Sequence, residues 1–120
     1  MKKWLIGAMC ATLVVAAPKY AMGFGDGNWL LESAVSDDPA VTYGYLNYVL
    51  GVSDGYQLTF IASDSSTTFC VGEPYGITNG DMGDAVRLWL RKNPEHLEVH
   101  ASVVVVAALV AHFPCETDGY

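Results

Sequence analysis

From Pro39 onward the apolar residues Val41, Tyr45, Tyr48, Val49, Val52, Tyr56 and Phe60 recur at steps of three and four. That rhythm draws one stripe down an α-helix and excludes the strict alternation of a half-buried strand. A stripe this long commits the rest of the chain to covering it. Asp38 supplies an N-cap and Pro39 a first helical residue whose missing N–H costs nothing there. Gly44, Gly51 and Gly55 fall beside the stripe. Glycine inside a helix loses about 1 kcal/mol against alanine, so a close approach of a neighbouring helix is expected at these three positions.

Other segments read the same way. Asn28 to Val35 (NWLLESAV) predicts a short helix ended by the Ser36-Asp37-Asp38 turn. Ser63 to Gly76 is polar and punctuated by glycine and proline, which predicts a loop with Cys70 in its middle. Thr78 followed by Asp81 forms a capping-box pattern. The helix it opens should run to about Asn93, with Met82, Ala85, Val86 and Trp89 inward and Arg91 and Lys92 in the last turn. Val103 to Val106 alone would favour a strand by β-branching. The apolar run from Ala101 to Ala111, interrupted only by Ser102, is too long for that and predicts a buried helix ending at Phe113-Pro114-Cys115. The expected fold is all-α: a small antiparallel domain of four to five helices with one disulfide, after a signal peptide.

The signal peptide is read from Lys2 and Lys3, the uncharged run Trp4 to Ala17, and the small residues that follow. Fourteen apolar residues fall short of the roughly 18 that span a bilayer. Ala21-Met22-Gly23 fits the small-x-small rule, which places the leader at residues 1–23 and the domain at 24–120, exported and without stable membrane insertion. Cys10 leaves with the leader. The chain carries 6 basic and 13 acidic residues. Removing Lys2, Lys3 and Lys19 leaves Arg87, Arg91 and Lys92 against all the acids, a net −10. Such a balance excludes nucleic acid, whose phosphates need clustered cations, and steers encounter toward basic partners. Only Cys70 and Cys115 then remain. In an exported chain an even count predicts a disulfide, worth about 4 kcal/mol for a loop of this length.

Candidate chemistry is sparse. His96 and His100 stand four apart, the spacing at which one helix face holds a metal. They flank a proline break without a third ligand in the sequence, so a solvated pair and no metal are expected. His112 suits a helix C-terminus. No G-x-S-x-G, Gly-rich phosphate loop or C-x-x-C is present, so the chain is expected to be no enzyme and to use no cofactor.

The strings GNWLLESAVSDDPA (Gly27 to Ala40) and GYLNYVLGVSDGY (Gly44 to Tyr56) resemble the Rap/Tai family of type VI secretion immunity proteins. FCVGEPYGITNGDMGDAVRLWLRKNPEHL (Phe69 to Leu97) and AALVAHFPC (Ala107 to Cys115) do so as well, in the same order. The resemblance implies a small periplasmic helical protein, often dimeric. Such a protein neutralises a peptidoglycan amidase effector by occluding the cleft around its catalytic Cys and His. It also implies the Cys70–Cys115 pairing. Many relatives carry a second cysteine pair where this chain has Ala34 and Tyr45.

An inhibitor of a deep cleft needs a projecting element that is already ordered. Two segments qualify, the loop carrying Glu73 and Tyr75 and the connection carrying Glu95, His96 and Glu98. These five are the expected partner contacts. The competing reading is a periplasmic HdeA-like acid-stress chaperone, also small, helical, disulfide-bonded and acidic, whose carboxylates would discharge as pH falls.

Overall fold

Each helix starts where its capping residues place it. A computed structural model describes residues 25–64 and 66–115. The expected signal peptide at 1–23 and the tail at 116–120 lie outside the described residues. Helix α1 spans Gly27–Ala34, with the Asp26 side chain accepting from the Trp29 N–H. Helix α2 spans Pro39–Ala62, and Asp38 accepts from the Ala40 N–H with proline at the first position. A 3₁₀ turn covers Glu73–Tyr75. Helix α3 spans Asn79–Lys92 and opens on a complete capping box between Thr78 and Asp81. A second 3₁₀ turn, Pro94–His96, leads into α4, Ala101–His112. Among the described residues extended pairing is limited to isolated bridges, Asp26 with His100, Phe69 with Pro114 and Gly72 with Ile77. The all-α expectation, with four helices and one disulfide, is met.

The core forms around α4. Ala101, Val104, Val105, Ala108 and Leu109 are fully buried, facing Met82, Ala85, Val86 and Leu90 of α3, Leu30 of α1 and Val49 of α2. Each large side chain so buried contributes about 1.5–3 kcal/mol. That burial outweighs the strand preference of four consecutive valines, because a helix apolar nearly all round fits where neighbours cover most sides. On α3 the inward register differs in one place from the sequence reading. Leu90 is fully buried and Trp89 lies at the margin of the core.

The glycine expectation is overturned. A Cβ at Gly44, Gly51 or Gly55 would meet nothing within 4 Å. The buried line of α2 is Tyr45, Val49 and Ser53, and these glycines sit outside it. Close approaches occur instead at two other glycines. A Cβ on Gly83 would lie 3.1 Å from Leu46 Cδ1, and one on Gly27 would lie 2.9 Å from both the His96 carbonyl oxygen and Leu97 Cα. Gly83 lets Tyr45 reach across, and the Tyr45 hydroxyl donates to the Gly83 carbonyl at 2.6 Å. Tyr45 thus holds a hydrogen bond from α2 to α3.

Candidate functional site

The loop before α3 is fixed at several points along its length. Phe69 is fully buried, with the Tyr56 ring stacked on it at 5.4 Å. The Tyr56 hydroxyl meets the Thr68 hydroxyl at 3.1 Å. The Cys70 N–H donates to the Phe113 carbonyl at 2.9 Å, and Cys70 is bonded to Cys115 with a Cα separation of 5.0 Å. The chain thereby ties the end of α2, the loop and the end of α4 into one unit.

Beyond Cys70 the backbone projects as a small closed turn. Gly72 adopts φ +100° and Gly76 φ +71°, conformations that glycine takes without steric cost. The Gly72 carbonyl accepts from both Tyr75 and Ile77, and Gly76 donates to the Glu73 carbonyl. Pro74 stiffens the centre. The turn presents Glu73 and Tyr75 outward, with Tyr75 59% exposed. Between it and the end of α2 lies a crevice of about 190 Å³, lined by Gln57, Phe60, Ile61, Thr67, Val71 and Tyr75 among others. Ile61 is 74% exposed at its edge.

The other candidate segment closes the opposite end of the α3–α4 hairpin. The Asn93 side-chain amide donates to the Trp89 carbonyl at 2.8 Å, and the Pro94–His96 turn follows. The His96 ring packs against Trp89 at 5.0 Å. His96 Nδ1 lies 3.3 Å from a Glu95 carboxylate oxygen without the alignment of a hydrogen bond. The N-terminal segment docks here: Gly27 N–H donates to Val99, Asn28 N–H to Leu97 and Ala101 N–H to Gly25. Glu95 and Glu98 are exposed.

The five expected contact residues therefore divide. Glu73 and Tyr75 stand at one end of the hairpin, and Glu95, His96 and Glu98 at the other. Between them runs α3, whose 14 residues span about 20 Å. His96 and His100 do not form a pair on one helix face. His100 caps α4, its Nδ1 receiving the Ser102 N–H at 3.3 Å, which requires that nitrogen to be unprotonated. Among the described residues no three histidine, cysteine or carboxylate side chains gather as a metal site.

Electrostatics separates interior from surface. Burial raises the Tyr45 hydroxyl pKa, with the Arg87 charge opposing it. Burial also raises that of Tyr48, against a hydrogen bond with Ser102. Asp81 is lowered by the Thr78 N–H that its carboxylate accepts. These shifts belong to packing and capping and mark no catalytic group.

The sequence reading missed the crevice. Its signal was present: Ile61 is a large apolar residue off the α2 stripe, and it is exposed. A second opening, a groove of about 650 Å³ between α2 and α4, is lined by Gly51, Val52, Gly55, Val103 and Val106 among others. No helix among the described residues is long and apolar enough to cross a membrane.

A comparison with curated proteins returns no match. The model of the family described as Rap1a immunity proteins matches residues 16–115, a span that takes in all four helices, the projecting turn and both cysteines of the disulfide. By that match the chain belongs to the Rap1a immunity protein family.

Proposed function

We propose that this immunity protein acts in the periplasm, binding a type VI secretion peptidoglycan amidase and occluding its active-site cleft, with no catalysis of its own. The observation that carries the proposal is the Glu73–Tyr75 turn, closed at its base by hydrogen bonds to Gly72 and anchored by the neighbouring disulfide. A cleft inhibitor that is ordered before binding avoids the cost of freezing a loop on contact. Tyrosine at the tip gives a large rigid contact with a polar end, the type enriched at interface hot spots. Glu73 and Tyr75 are its contacts at this end, and Glu95, His96 and Glu98 those at the other.

Export through the leader at 1–23, with the domain at 24–120, belongs to the same proposal, and an oxidising compartment suits the disulfide. So does homodimerisation. The uncharged groove between α2 and α4, where Gly51 and Gly55 leave open space, lets two strongly acidic copies meet without opposing like charges.

The test is inhibition. The adjacent reading frames are searched for a small cysteine peptidoglycan amidase, which is mixed with the purified protein without residues 1–23, and hydrolysis of cross-linked peptidoglycan is followed. Loss of activity near one equivalent is the expected result. Undiminished hydrolysis at tenfold excess would overturn the proposal.

A further inference from the structure

The division of the candidate contacts raises the question of which end of the hairpin meets the partner first, and the charges around the two ends differ. All the basic residues among the described ones lie on α3, at Arg87, Arg91 and Lys92. Arg87 is paired with Asp84 at 3.3 Å, while Arg91 and Lys92 are exposed at the helix's last turn. The end bearing Glu95 and Glu98 is therefore of mixed sign. The disulfide end has no such cations. Asp64 follows α2 directly, its N–H donating to the Ile61 carbonyl, Glu73 opens the turn and Asp81 caps α3.

Asp64 and Glu73 lie within a few residues, along the chain, of side chains that line an apolar hole. Phe60, Ile61, Phe69 and Val71 line the crevice, and Gln57 and Thr67 set polar groups in its wall. About 190 Å³ is below the roughly 300–1,000 Å³ of small-molecule sites, and suits a single side chain. Its walls are fixed: Phe69 by full burial and by the Tyr56 ring stacked on it, and the loop by the disulfide. A preformed pocket for one anchor residue, with carboxylates nearby in the chain and all described Lys and Arg on α3, suits an apolar side chain brought in by a basic partner.

We infer that this crevice is the primary docking site for the partner protein, taking one aromatic or large aliphatic side chain flanked by lysine or arginine. The inference rests on the immunity reading and deepens it. It makes the inhibitor a receiver as well as a plug: the Glu73–Tyr75 turn enters the partner while a partner side chain enters beside it. The sequence-predicted residues at the opposite end then contribute secondary contacts.

The test uses capped tripeptides, so its outcome does not depend on the amidase. Isotope-labelled protein is titrated with acetyl-Lys-Phe-Lys-amide and with acetyl-Glu-Phe-Glu-amide, and amide chemical shifts are followed. The basic peptide should shift Gln57, Ile61, Thr67, Val71 and Tyr75, more strongly at low salt, and the acidic one should not. Ile61→Asp, at an exposed position that a charge can occupy without unfolding the chain, should weaken binding of the basic peptide at least tenfold. Glu73→Lys should reverse the preference between the peptides. No saturable shift at the crevice, equal binding of both peptides, or shifts confined to the Glu95–Glu98 end would overturn the inference. An amidase inhibited in full by Ile61→Asp would remove the crevice from the mechanism while leaving inhibition itself standing.

Discussion

At one end of the α3–α4 hairpin a covalent bond, Cys70–Cys115, holds the chain together. At the other, the same closure is made by the segment around Gly27, through backbone hydrogen bonds to Leu97 and Val99. The two solutions demand different surroundings. Hydrogen bonds of this kind hold only where backbones lie close, which is why α1 begins on a glycine whose Cβ would strike the His96 and Leu97 backbone. The disulfide end is packed as well, by buried Phe69 and the Cys70 N–H to Phe113 carbonyl hydrogen bond. The covalent bond adds a tie that does not depend on that packing. It leaves its loop free to show apolar side chains to solvent, and the crevice and the projecting turn are both found there. The lesson is that the covalently held end can carry a working surface without costing the core its closure.

The comparison breaks most visibly if the disulfide is removed. Cys70→Ser with Cys115→Ser should cost about 4 kcal/mol on the loop-entropy estimate, read as a lower denaturant midpoint. Hydrogen exchange should rise first in the loop around Cys70, with the Gly27 to Val99 contact still protected at that stage. Equal loss at both ends would show that they are not independent.

Gly27→Val attacks the other end. The added side chain must displace the backbone of the 94–97 turn, and overpacking of this kind costs about 1–3 kcal/mol. Calorimetry should show a lower Tm with the Cys70–Cys115 bond intact. An unchanged Tm would mean that α1 is not seated as described.

Tyr45→Phe tests the link between α2 and α3. It removes a buried hydrogen bond to a Gly83 carbonyl that keeps its own partner within α3, a loss of about 0.5–1.5 kcal/mol. The same residue sets an alkaline limit. Its pKa is raised in the fold, whereas the unfolded chain ionises it near pH 10. Its contribution is therefore complete below pH 10 and is lost as pH rises further. Urea titrations from pH 8 to 11 should show a decline in the wild type that is shallower in Tyr45→Phe. Parallel curves would contradict the assignment.

The smallest effect has the opposite sign. Gly51→Ala and Gly55→Ala place a methyl group into open space inside a helix, and each should raise stability by up to about 1 kcal/mol. Destabilisation would restore the close-packing role that the sequence reading gave these glycines.

Much of this architecture is legible in local chemistry. Asp38-Pro39, the Thr78–Asp81 box and the long apolar run from Ala101 each announce a helix through interactions within a few residues, and once Cys10 is assigned to the expected leader the two other cysteines leave one pairing. What escapes is whatever depends on which faces meet. Three glycines beside an apolar stripe signal a close approach equally well whether or not a neighbour arrives. Gly27 and Gly83, where neighbours do arrive, sit in segments whose pattern gives no hint of it. Glycine and proline around Glu73 and Tyr75 make the turn there legible. The wall of the crevice comes from a helix end some dozen residues earlier, so no local pattern joins the two. The 20 Å between the two candidate segments likewise follows from α3 lying between them, a fact of packing rather than spacing.

The central claim is that the disulfide end is the inhibitory surface. Its most direct test compares two mutants of the folded protein against the proposed amidase partner, Glu73→Ala/Tyr75→Ala at one end and Glu95→Ala/His96→Ala/Glu98→Ala at the other, both checked for native helical circular dichroism. The account predicts that the first pair raises the inhibition constant at least tenfold, about 1.4 kcal/mol, and more than the second set does. Full inhibition by Glu73→Ala/Tyr75→Ala, with loss of inhibition in the triple mutant, would contradict it and move the working surface to the end that Gly27 closes.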